Sequence, residues 1–438
     1  MRSVTILTTF TSADEAYSLN RIVQDQIKMF SHFNYNIKVV VQEGFVPNDI
    51  YSNPAVELVT YPAIPVSNES VVDKTFDEDI EKLKTALKPV LENTEVMITH
   101  DLVYQPAAVK HNLAIRSLLK ENPQVKTNFL HWIHSATEPA VLSGLRGGGS
   151  RYLDLIKTPF PRSFYIAFNS FSIPRIAKWF NIEESQVKYI PHPHDFLEGK
   201  HEMAQRIILD YNLLEKDVVC MYPCRLDLGK QPEVVIEIMA QVKETNRSIC
   251  CLIADFHSTA GDKVDYRKKM QKMGLDLGLS ETELVFLSEA KLGEERTEPR
   301  YEMPHQVIND LFDITNTFIL PSRSETYSLV AQEAAAKRNF MVLNQDFPPF
   351  RSIYGDYPIY RQFSSNIDAN SGMDGETNTN YSSKIDYYRD IAVYINYAQE
   401  QTRVLAEFNM IRKKRNLYYV FRHHIEPLLV VTPNNLNY

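Results

Sequence analysis

The chain has few cysteines and no long hydrophobic run. Its 438 residues include four cysteines, none with zinc-ligand spacing, and all lie in or beside apolar β-like runs. Such thiols are typical of buried core positions in a reducing compartment. No apolar run reaches the roughly 18 residues that a membrane-spanning helix needs. The first residues read as a strand and lack the apolar region of a signal peptide. We therefore expect a soluble, cytoplasmic protein.

A strong excess of positive charge is also missing. The formal net charge is −8; residues 1–197 carry 19 basic and 21 acidic side chains, and residues 198–438 carry 28 and 34. A dedicated nucleic-acid domain would be strongly basic. Local basic runs could still meet phosphate on DNA or on a lipid head group, although solvated helix faces are commoner. These runs are Lys110, Arg116, Lys120 and Lys126; Arg146 and Arg151; and Arg412–Arg415.

Glycine is scarce, and its single cluster is Gly144–Ser150. This cluster predicts a mobile loop whose role the sequence leaves open. Metal-ligand patterns are missing as well. Two histidine pairs, His192 with His194 and His131 with His134, have no carboxylate or cysteine at convergent spacing, and no Asp-x-Asp element lies in a suitable loop. We expect no metal site.

What the chain does contain is a regular alternation of β-like and helical segments. Hydrophobic residues make up 44% and charged residues 23%, enough for two globular cores. The alternation predicts an α/β fold with two doubly wound parallel sheets. We predict an N-terminal Rossmann-like domain over residues 1–197, a C-terminal Rossmann-like domain over 198–395, and a helical segment over 396–438 that packs back on the first domain. A hinge is expected near 191–200.

Residues Asn316–Ala336 combine a strand, a sharp turn and a helix. Thr317–Leu320 is β-prone, and helical spacing follows it. Two carboxylates, Glu325 and Glu333, bracket the turn; each alone is more often a capping or solvated residue. The first-turn N–H groups of a helix lack intrahelical acceptors and can bind an anion such as a phosphate. Those amides belong to Ser328, Leu329 and Val330.

A second candidate binding segment is Tyr222–Lys230, which begins at the end of a predicted strand over Asp217–Pro223. Arg225 and Lys230 stand five residues apart at its end. Together they can neutralise a diphosphate and stabilise its charge as a leaving group forms. The ordinary alternative is two solvated surface cations.

In combination, Arg225-x4-Lys230 and Glu325-x7-Glu333 resemble the motifs of GT-B glycosyltransferases, specifically the retaining GT4-like family. The resemblance covers most of the chain and is strongest over residues 218–345. It implies a GT-B fold, with two Rossmann-like domains facing a central cleft. It also implies that Arg225 and Lys230 bind the diphosphate of a nucleotide-sugar, that Glu325 contacts the donor sugar, and that Glu333 holds the ribose. The first-turn amides would bind the phosphates.

The resemblance assigns three further residues. His134 looks like the histidine that such enzymes place beside the donor sugar, a packed strand-end histidine being the alternative. Ser288 falls where the base is contacted. Ser12 follows the first strand, where the family has a glycine pair, and its amide would meet donor or acceptor. The chain departs from the family there and at Cys224, where glycine is usual, and Asp255 has no secure role.

The resemblance implies no metal or other cofactor. The donor would be a UDP- or GDP-sugar, with a hexose or pentose transferred in a retaining reaction. The sequence names no acceptor, which could be a sugar, a lipid, a protein or DNA. Three alternatives remain: a DNA- or lipid-directed sugar transferase of the same fold, a GT-B nucleotide-sugar epimerase, and a non-catalytic nucleotide-sugar-binding protein. The oligomeric state is open.

Overall fold

The computed structural model describes residues 2–64, 72, 74–134, 158–256, 264–290, 303–323, 325, 327–363 and 381–433. These residues form two compact units. The first unit comprises residues 1–193 and 417–438, and the second comprises residues 194–416.

The first unit is built on a seven-stranded sheet whose neighbouring strands are all parallel. Its strands are β1 (Ser3–Leu7), β2 (Asn36–Gln42), β3 (Val56–Tyr61), β4 (Val96–His100), β5 (Asn128–Trp132), β6 (Ser163–Ala167) and β7 (Val187–Tyr189). The connecting helices are α1 (Ser18–His32), α2 (Phe76–Glu92), α3 (Val109–Glu121) and α4 (Ile173–Phe180). The strand order is β3-β2-β1-β4-β5-β6-β7. The order therefore reverses beside β1, as in a doubly wound sheet.

The residue pattern explains these elements. Strands β4 and β6 are buried at every position, as expected for parallel strands that helices cover on both faces. On α1, Val23, Ile27 and Phe30 are fully buried at spacings of four and three residues. They pack in one cluster with residues of β1 and β2. The helix is thereby held against one face of the sheet.

The second unit repeats this plan with six parallel strands. After α5 (Glu202–Asp210) come β8 (Val218–Arg225), α6 (Pro232–Glu244), β9 (Ile249–Phe256), α7 (Val264–Asp276), β10 (Leu284–Phe286), α8 (His305–Phe312), β11 (Thr317–Leu320), α9 (Leu329–Ala336), β12 (Phe340–Asn344), α10 (Pro349–Tyr354), β13 (Ile359–Arg361), α11 (Lys384–Gln401) and α12 (Arg403–Lys414). The order β10-β9-β8-β11-β12-β13 reverses beside β8. The predicted α/β class with two doubly wound parallel sheets is confirmed.

The chain leaves the second unit after α12 and ends in the first. Its last described elements are α13 (Leu417–Val420), a π-helical turn (Phe421–Ile425) and α14 (Glu426–Leu429). The Phe421 ring stacks on Phe33 at 4.2 Å between centroids. The chain passes between the units at residues 193/194 and 416/417, where the sequence predicts boundaries at 197/198 and 395/396. Helix α11 runs through residue 395 and belongs wholly to the second unit.

Some local predictions were wrong in extent. The sequence pattern predicts a first helix over 13–30, but this helix begins at Ser18, because the Ala13 N–H donates to Val46 O at 2.8 Å instead of opening a helix. Helices α5 and α10 and strand β13 were not predicted, since three to nine residues give little periodicity. Residues 144–150, the predicted glycine loop, and most of 366–383, whose polar composition also predicts a loop, lie outside the described part. In the described chain, no helix combines the length and hydropathy needed to cross a bilayer. The predicted central cleft stays a prediction.

Candidate functional site

The second sheet reverses its order between β8 and β11, which are neighbours. Ligands of open α/β sheets bind outside the carboxyl ends of the strands at such a reversal. Strand β8 ends at Arg225, and a single turn of 3-10 helix follows over Leu228–Lys230. Strand β11 ends at Leu320, and α9 begins at Leu329. The fold therefore brings both sequence signals, far apart along the chain, to the same sheet edge.

An ion pair joins the two loops. Lys230 Nζ lies 2.7 Å from Glu325 Oε1, and the two side chains are 23% and 13% exposed. The Arg323 N–H also donates to Gly229 O at 2.9 Å. Partial burial shields this pair from solvent, so its attraction exceeds that of a typical surface pair. Lys230 is thus held with its charge at the edge of the sheet.

A buried tyrosine holds the backbone of the lysine in place. The Tyr222 hydroxyl donates to Lys230 O at 2.7 Å and lies 3.0 Å from Ser322 Oγ. Asn344 Nδ2 in turn donates to Ser322 O at 2.9 Å. Burial raises the pKa of Tyr222 well above its ordinary value, so the phenol keeps its proton. Tyr222 therefore fixes the backbone of Lys230 to strand β8.

Lys230 and Glu325 line an open recess of about 550 Å³. The first turn of α9 forms its other wall, and the N–H groups of such a turn have no intrahelical acceptor. Cation and amides together make a site suited to an anion. The residues lining the recess are Tyr222, Pro223, Lys230, Leu320, Glu325, Tyr327, Ser328, Leu329 and Val330.

Ser328 caps α9 in an unusual backbone conformation. Its φ is 63°, in the left-handed region, and its hydroxyl accepts from the Ala331 N–H at 3.4 Å. A non-glycine residue held there costs about 1 kcal/mol or more. The hydrogen bond of the cap is long and offsets little of this free-energy cost. The position suits glycine.

Replacing Ser328 with glycine is accordingly expected to leave the melting temperature unchanged or slightly higher. Ser328→Val is expected to destabilise by about 1–3 kcal/mol, because a β-branched residue fits poorly at positive φ. Thermal unfolding of the free protein measures both. Ser383, the cap of α11, is a matched control because its φ is −156°; there glycine should be destabilising. A clear loss of stability in Ser328→Gly would contradict the argument.

Arg225 does not face this recess. Its side chain is 49% exposed, and its Nε lies 3.6 Å from Asp227 Oδ2. The residue is absent from the described lining. The structure therefore brings Lys230, Glu325 and the amides of α9 together and leaves Arg225 at the rim of the same loop.

Glu333 lies on α9 and is already engaged. Its Oε1 is 2.9 Å from His305 Nε2, and the carboxylate side chain is 25% exposed. The His305 Nδ1 lies 3.1 Å from Asn309 Nδ2. An amide nitrogen can only donate, so His305 carries its proton on Nε2 and donates it to Glu333. One oxygen of Glu333 is thereby occupied in the free protein.

Ser288 follows β10 within a buried polar cluster. Its N–H and hydroxyl both donate to Asp255, at 3.0 and 2.5 Å. Arg267 lies 3.7 Å from the same carboxylate and is nearly fully buried. Burial raises the pKa of Asp255. A ligand that accepted a hydrogen bond from the Ser288 hydroxyl would have to displace Asp255, so the serine mainly holds the turn after β10.

Ser12 and His134 lie in the first unit. Ser12 follows β1 and forms an isolated bridge with Val46. The neighbouring Ala13 N–H is taken by Val46 O, which leaves that amide unable to serve a ligand. His134 follows β5, and burial lowers its pKa to about 2. Its Nε2 lies 2.9 Å from His100 Nδ1.

The structure also shows what surrounds the histidines and the basic runs that the sequence singled out. Among the described residues no group of three or more His, Cys, Asp or Glu is arranged to hold a metal. His131 uses both ring nitrogens, toward Thr99 Oγ1 at 2.7 Å and Ser163 Oγ at 3.0 Å.

The basic runs are interrupted by burial: Arg116 donates to two backbone carbonyls, and Arg412 is fully buried. Neither arginine can offer its charge to a phosphate surface. Arg146 and Arg151 lie outside the described residues.

Sequence reasoning missed four residues that hydrogen-bond to the candidate site residues or to one another: Tyr222, His305, His100 and Gln26. Tyr222 had a signal, since it lies in the same Tyr222–Lys230 stretch as Arg225. His305 and Gln26 had none, because their partners are 28 and 74 residues away in the chain.

No protein-family model matches this chain, and no curated protein matches it. Solved structures resemble it weakly. A glycosyltransferase from Rickettsia africae is 11% identical, with a TM-score of 0.37 over 99% of both chains. HepE from Anabaena, in complex with UDP and glucose, is 13% identical, with a TM-score of 0.35 over 98% of this chain and 100% of that one. A UDP-forming α,α-trehalose-phosphate synthase from Burkholderia xenovorans is 12% identical, with a TM-score of 0.36 over 99% and 100%. Similarities at this level carry no argument about reaction or substrate.

Proposed function

We propose that this chain is a glycosyltransferase of the GT-B type that uses a nucleoside-diphosphate sugar. The observation that carries the proposal is the recess beside β8 and β11, where Lys230, Glu325 and the first turn of α9 meet. A cation and free helix amides in one recess match the charge of a diphosphate. A carboxylate on the same helix, Glu333, is suited to accept hydrogen bonds from ribose hydroxyls.

Lys230 can serve the carboxylate and a diphosphate together. An ammonium group has three N–H donors, and Glu325 Oε1 at 2.7 Å takes one of them. The other two remain for phosphate oxygens. As the bond between the sugar and the phosphate breaks, negative charge grows on the departing oxygen. Lys230 and the α9 amides then stabilise that charge without first having to reorganise.

We further propose a retaining reaction of the GT4-like kind. This part rests on the resemblance of Arg225-x4-Lys230 and Glu325-x7-Glu333 to that family. Among the described lining residues Glu325 is the one carboxylate, and it is paired with Lys230. The two-carboxylate arrangement of retaining glycosidases is therefore not the model. In the front-face path, the acceptor hydroxyl attacks the anomeric carbon while the carbon–phosphate-oxygen bond breaks. The hydroxyl proton passes to the departing phosphate oxygen.

The remaining predicted residues take secondary places in the proposal. Arg225 would join the diphosphate by leaving Asp227, which costs little because a half-exposed pair at 3.6 Å is weak. His134 would contact a hydroxyl of a substrate sugar. Ser288 would help to shape the base contact through its backbone turn. Ser12 would lie beside the donor or acceptor. No metal is required, because Lys230 and the helix amides supply the positive charge.

A donor screen tests the proposal. Thermal shift against a panel of nucleotides and UDP- and GDP-sugars, run in EDTA, identifies ligands, and each hit is then assayed for donor hydrolysis. Stabilisation by one nucleotide-sugar together with its slow hydrolysis is expected. Stabilisation without turnover would favour a binding protein. Interconversion of sugars without acceptor would favour an epimerase. A lack of any shift across the panel would overturn the proposal.

The acceptor needs its own screen, with sugars, lipids, proteins and DNA offered to the donor-loaded protein. Duplex DNA is tested separately at low salt, because phosphate contacts release counterions and weaken steeply as salt rises. Transfer to DNA with that salt dependence would favour the DNA-directed alternative.

Glu333→Gln is expected to weaken binding of the nucleoside diphosphate. A hydrogen bond to a charged group contributes about 1.5–3 kcal/mol, so Kd should rise by roughly 10- to 100-fold. Isothermal titration calorimetry measures this for the ribonucleotide and its 2′-deoxy analogue. The wild type should prefer the ribonucleotide, and the variant should lose most of that preference.

Gln332→Ala is the matched control, because Gln332 is the exposed neighbour of Glu333 on the same helix. It should bind both nucleotides as the wild type does. An unchanged ribonucleotide affinity in Glu333→Gln would argue against the ribose contact, whatever the diphosphate site does.

A further inference from the structure

Two histidines, His100 buried and His134 half-buried, lie at the carboxyl edge of the first sheet. His100 is the last residue of β4, and His134 follows β5, which pairs with β4 in parallel. The first sheet reverses its order between β1 and β4. His100 and His134 therefore lie at the edge where an open α/β sheet receives ligands.

A chain of hydrogen bonds runs from α1 to His134. Gln26 Oε1 lies 3.0 Å from His100 Nε2, and His100 Nδ1 lies 2.9 Å from His134 Nε2. Gln26 is buried on α1 with 1% of its surface exposed. An amide oxygen can only accept, so His100 must carry its proton on Nε2.

The remaining proton positions follow from one proton per ring. Burial lowers the pKa of His100 to about 3 and that of His134 to about 2, so both rings are neutral near pH 7. With Nε2 protonated, His100 Nδ1 is an acceptor. His134 must then donate from Nε2, which leaves its own Nδ1 as an unprotonated acceptor.

The orientation of His134 is also held by its neighbours. Its backbone N–H donates to Asp101 Oδ1 at 2.7 Å, and the Tyr104 hydroxyl donates to the same oxygen. The Phe168 ring lies 4.7 Å from the imidazole, centroid to centroid. The bond to Asp101 fixes the backbone of His134, and the contacts of its ring with Phe168 and His100 restrict ring rotation, so the acceptor nitrogen has a defined direction.

We propose that Gln26 and His100 are positioning residues that hold His134 in the Nε2–H tautomer and present Nδ1 as a hydrogen-bond acceptor. The assignment of a ligand rests on the proposed glycosyl transfer. A lone pair on Nδ1 accepts from a hydroxyl and repels the oxygens of a carboxylate or phosphate. The relay thus selects a neutral, hydroxyl-bearing sugar at this position over an acidic one.

Two-bond ¹H–¹⁵N spectra of protein with ¹⁵N-labelled histidine test the tautomer directly in the ligand-free chain. His134 is assigned from its loss in His134→Gln. We expect its Nε2 to show the shift of a protonated nitrogen and its Nδ1 that of an unprotonated one. The opposite pattern in the wild type overturns the proposal.

Gln26→Met removes the amide acceptor at similar size, and His134 should then show a mixture of tautomers. Gln24→Met is the matched control, since Gln24 is also buried on α1 but donates to Ala13 O at 3.0 Å. It should leave the His134 pattern unchanged. An unchanged pattern in Gln26→Met would remove Gln26 from the relay.

The last test measures the effect of the relay on catalysis. Loss of one oriented hydrogen bond is worth about 1 kcal/mol, so kcat/KM for a neutral sugar should fall about fivefold in Gln26→Met. The preference of the enzyme for neutral sugars over uronic acids should fall as well, and an unchanged preference would contradict the proposed selectivity. If no nucleotide-sugar binds in the donor screen, the proposal of glycosyl transfer is overturned, but the tautomer assignment of His134 is not affected.

Discussion

Turnover of the donor is expected to fall by roughly 100- to 1,000-fold when Lys230 is replaced by methionine, the range seen when one charge-stabilising donor is removed from an active site. Methionine keeps most of the length and bulk of the side chain and removes only the ammonium. The loss should lie mainly in kcat, because charge on the phosphate oxygen develops as the bond breaks. The measurement is steady-state hydrolysis or transfer with the donor found by the screen.

The ion pair complicates this experiment and also supplies its control. Glu325, 13% exposed, would be left without Lys230 and would destabilise the loop. The double variant Lys230→Met/Glu325→Gln removes both charges and should recover most of the lost melting temperature. It should not recover turnover.

Near-normal turnover in Lys230→Met would reject the role of Lys230 in charge stabilisation. Recovery of turnover in the double variant would show that the single variant failed through loop instability. Both results would leave the fold assignment untouched.

Stability, not turnover, is the quantity expected to change most when Arg412 is replaced by methionine. Arg412 is fully buried on α12. Its guanidinium donates to Leu213 O, to Leu214 O at 3.1 Å and to Lys216 O at 2.7 Å. Each buried carbonyl left without a donor costs about 1–3 kcal/mol, so the free energy of unfolding should fall by about 3 kcal/mol or more. Urea unfolding measures it.

Lys414→Met is the matched control, because Lys414 is an exposed cation two residues along the same helix. Its free energy of unfolding should change by less than about 0.5 kcal/mol. Arg412→Lys should be nearly as damaging as methionine, because an ammonium lacks the planar fork that reaches several carbonyls. A small loss in Arg412→Met would mean that water or backbone movement satisfies these carbonyls.

The sequence predicted the architecture well where segments were long and regular. Strand β8 is buried from Val218 to Cys224, and its continuous apolar run is the pattern of a central parallel strand. The sequence patterns predict strands over 56–61, 96–100 and 317–320 and a helix over 305–312, and strands β3, β4 and β11 and helix α8 have these bounds. Strand β13, with three residues, was missed because so short a segment has no periodicity to read.

The candidate site was predictable in part. Lys230 and Glu325 were both singled out, but their contact depends on β8 and β11 being neighbours, which local sequence does not specify. Arg225 and Lys230 look equivalent in sequence. In the structure Lys230, the last residue of the 3-10 turn, lines the recess, whereas Arg225 lies beside Asp227. Basic residues such as Arg412 look solvated in sequence, and only packing shows that they are buried.

The sequence by itself determined the alternation of strands and helices, the two-sheet α/β plan and the chemical character of the loop after β8 and the stretch from Asn316 to Ala336. These are properties of local periodicity and residue type, which neighbouring residues along the chain decide. The tertiary structure decided which of those groups meet. It paired Lys230 with Glu325 across 95 residues and Gln26 with His100 across 74. Strand order and the packing of α1 on the first sheet set such distances, because the carboxyl ends of parallel strands share one edge only after the sheet has formed.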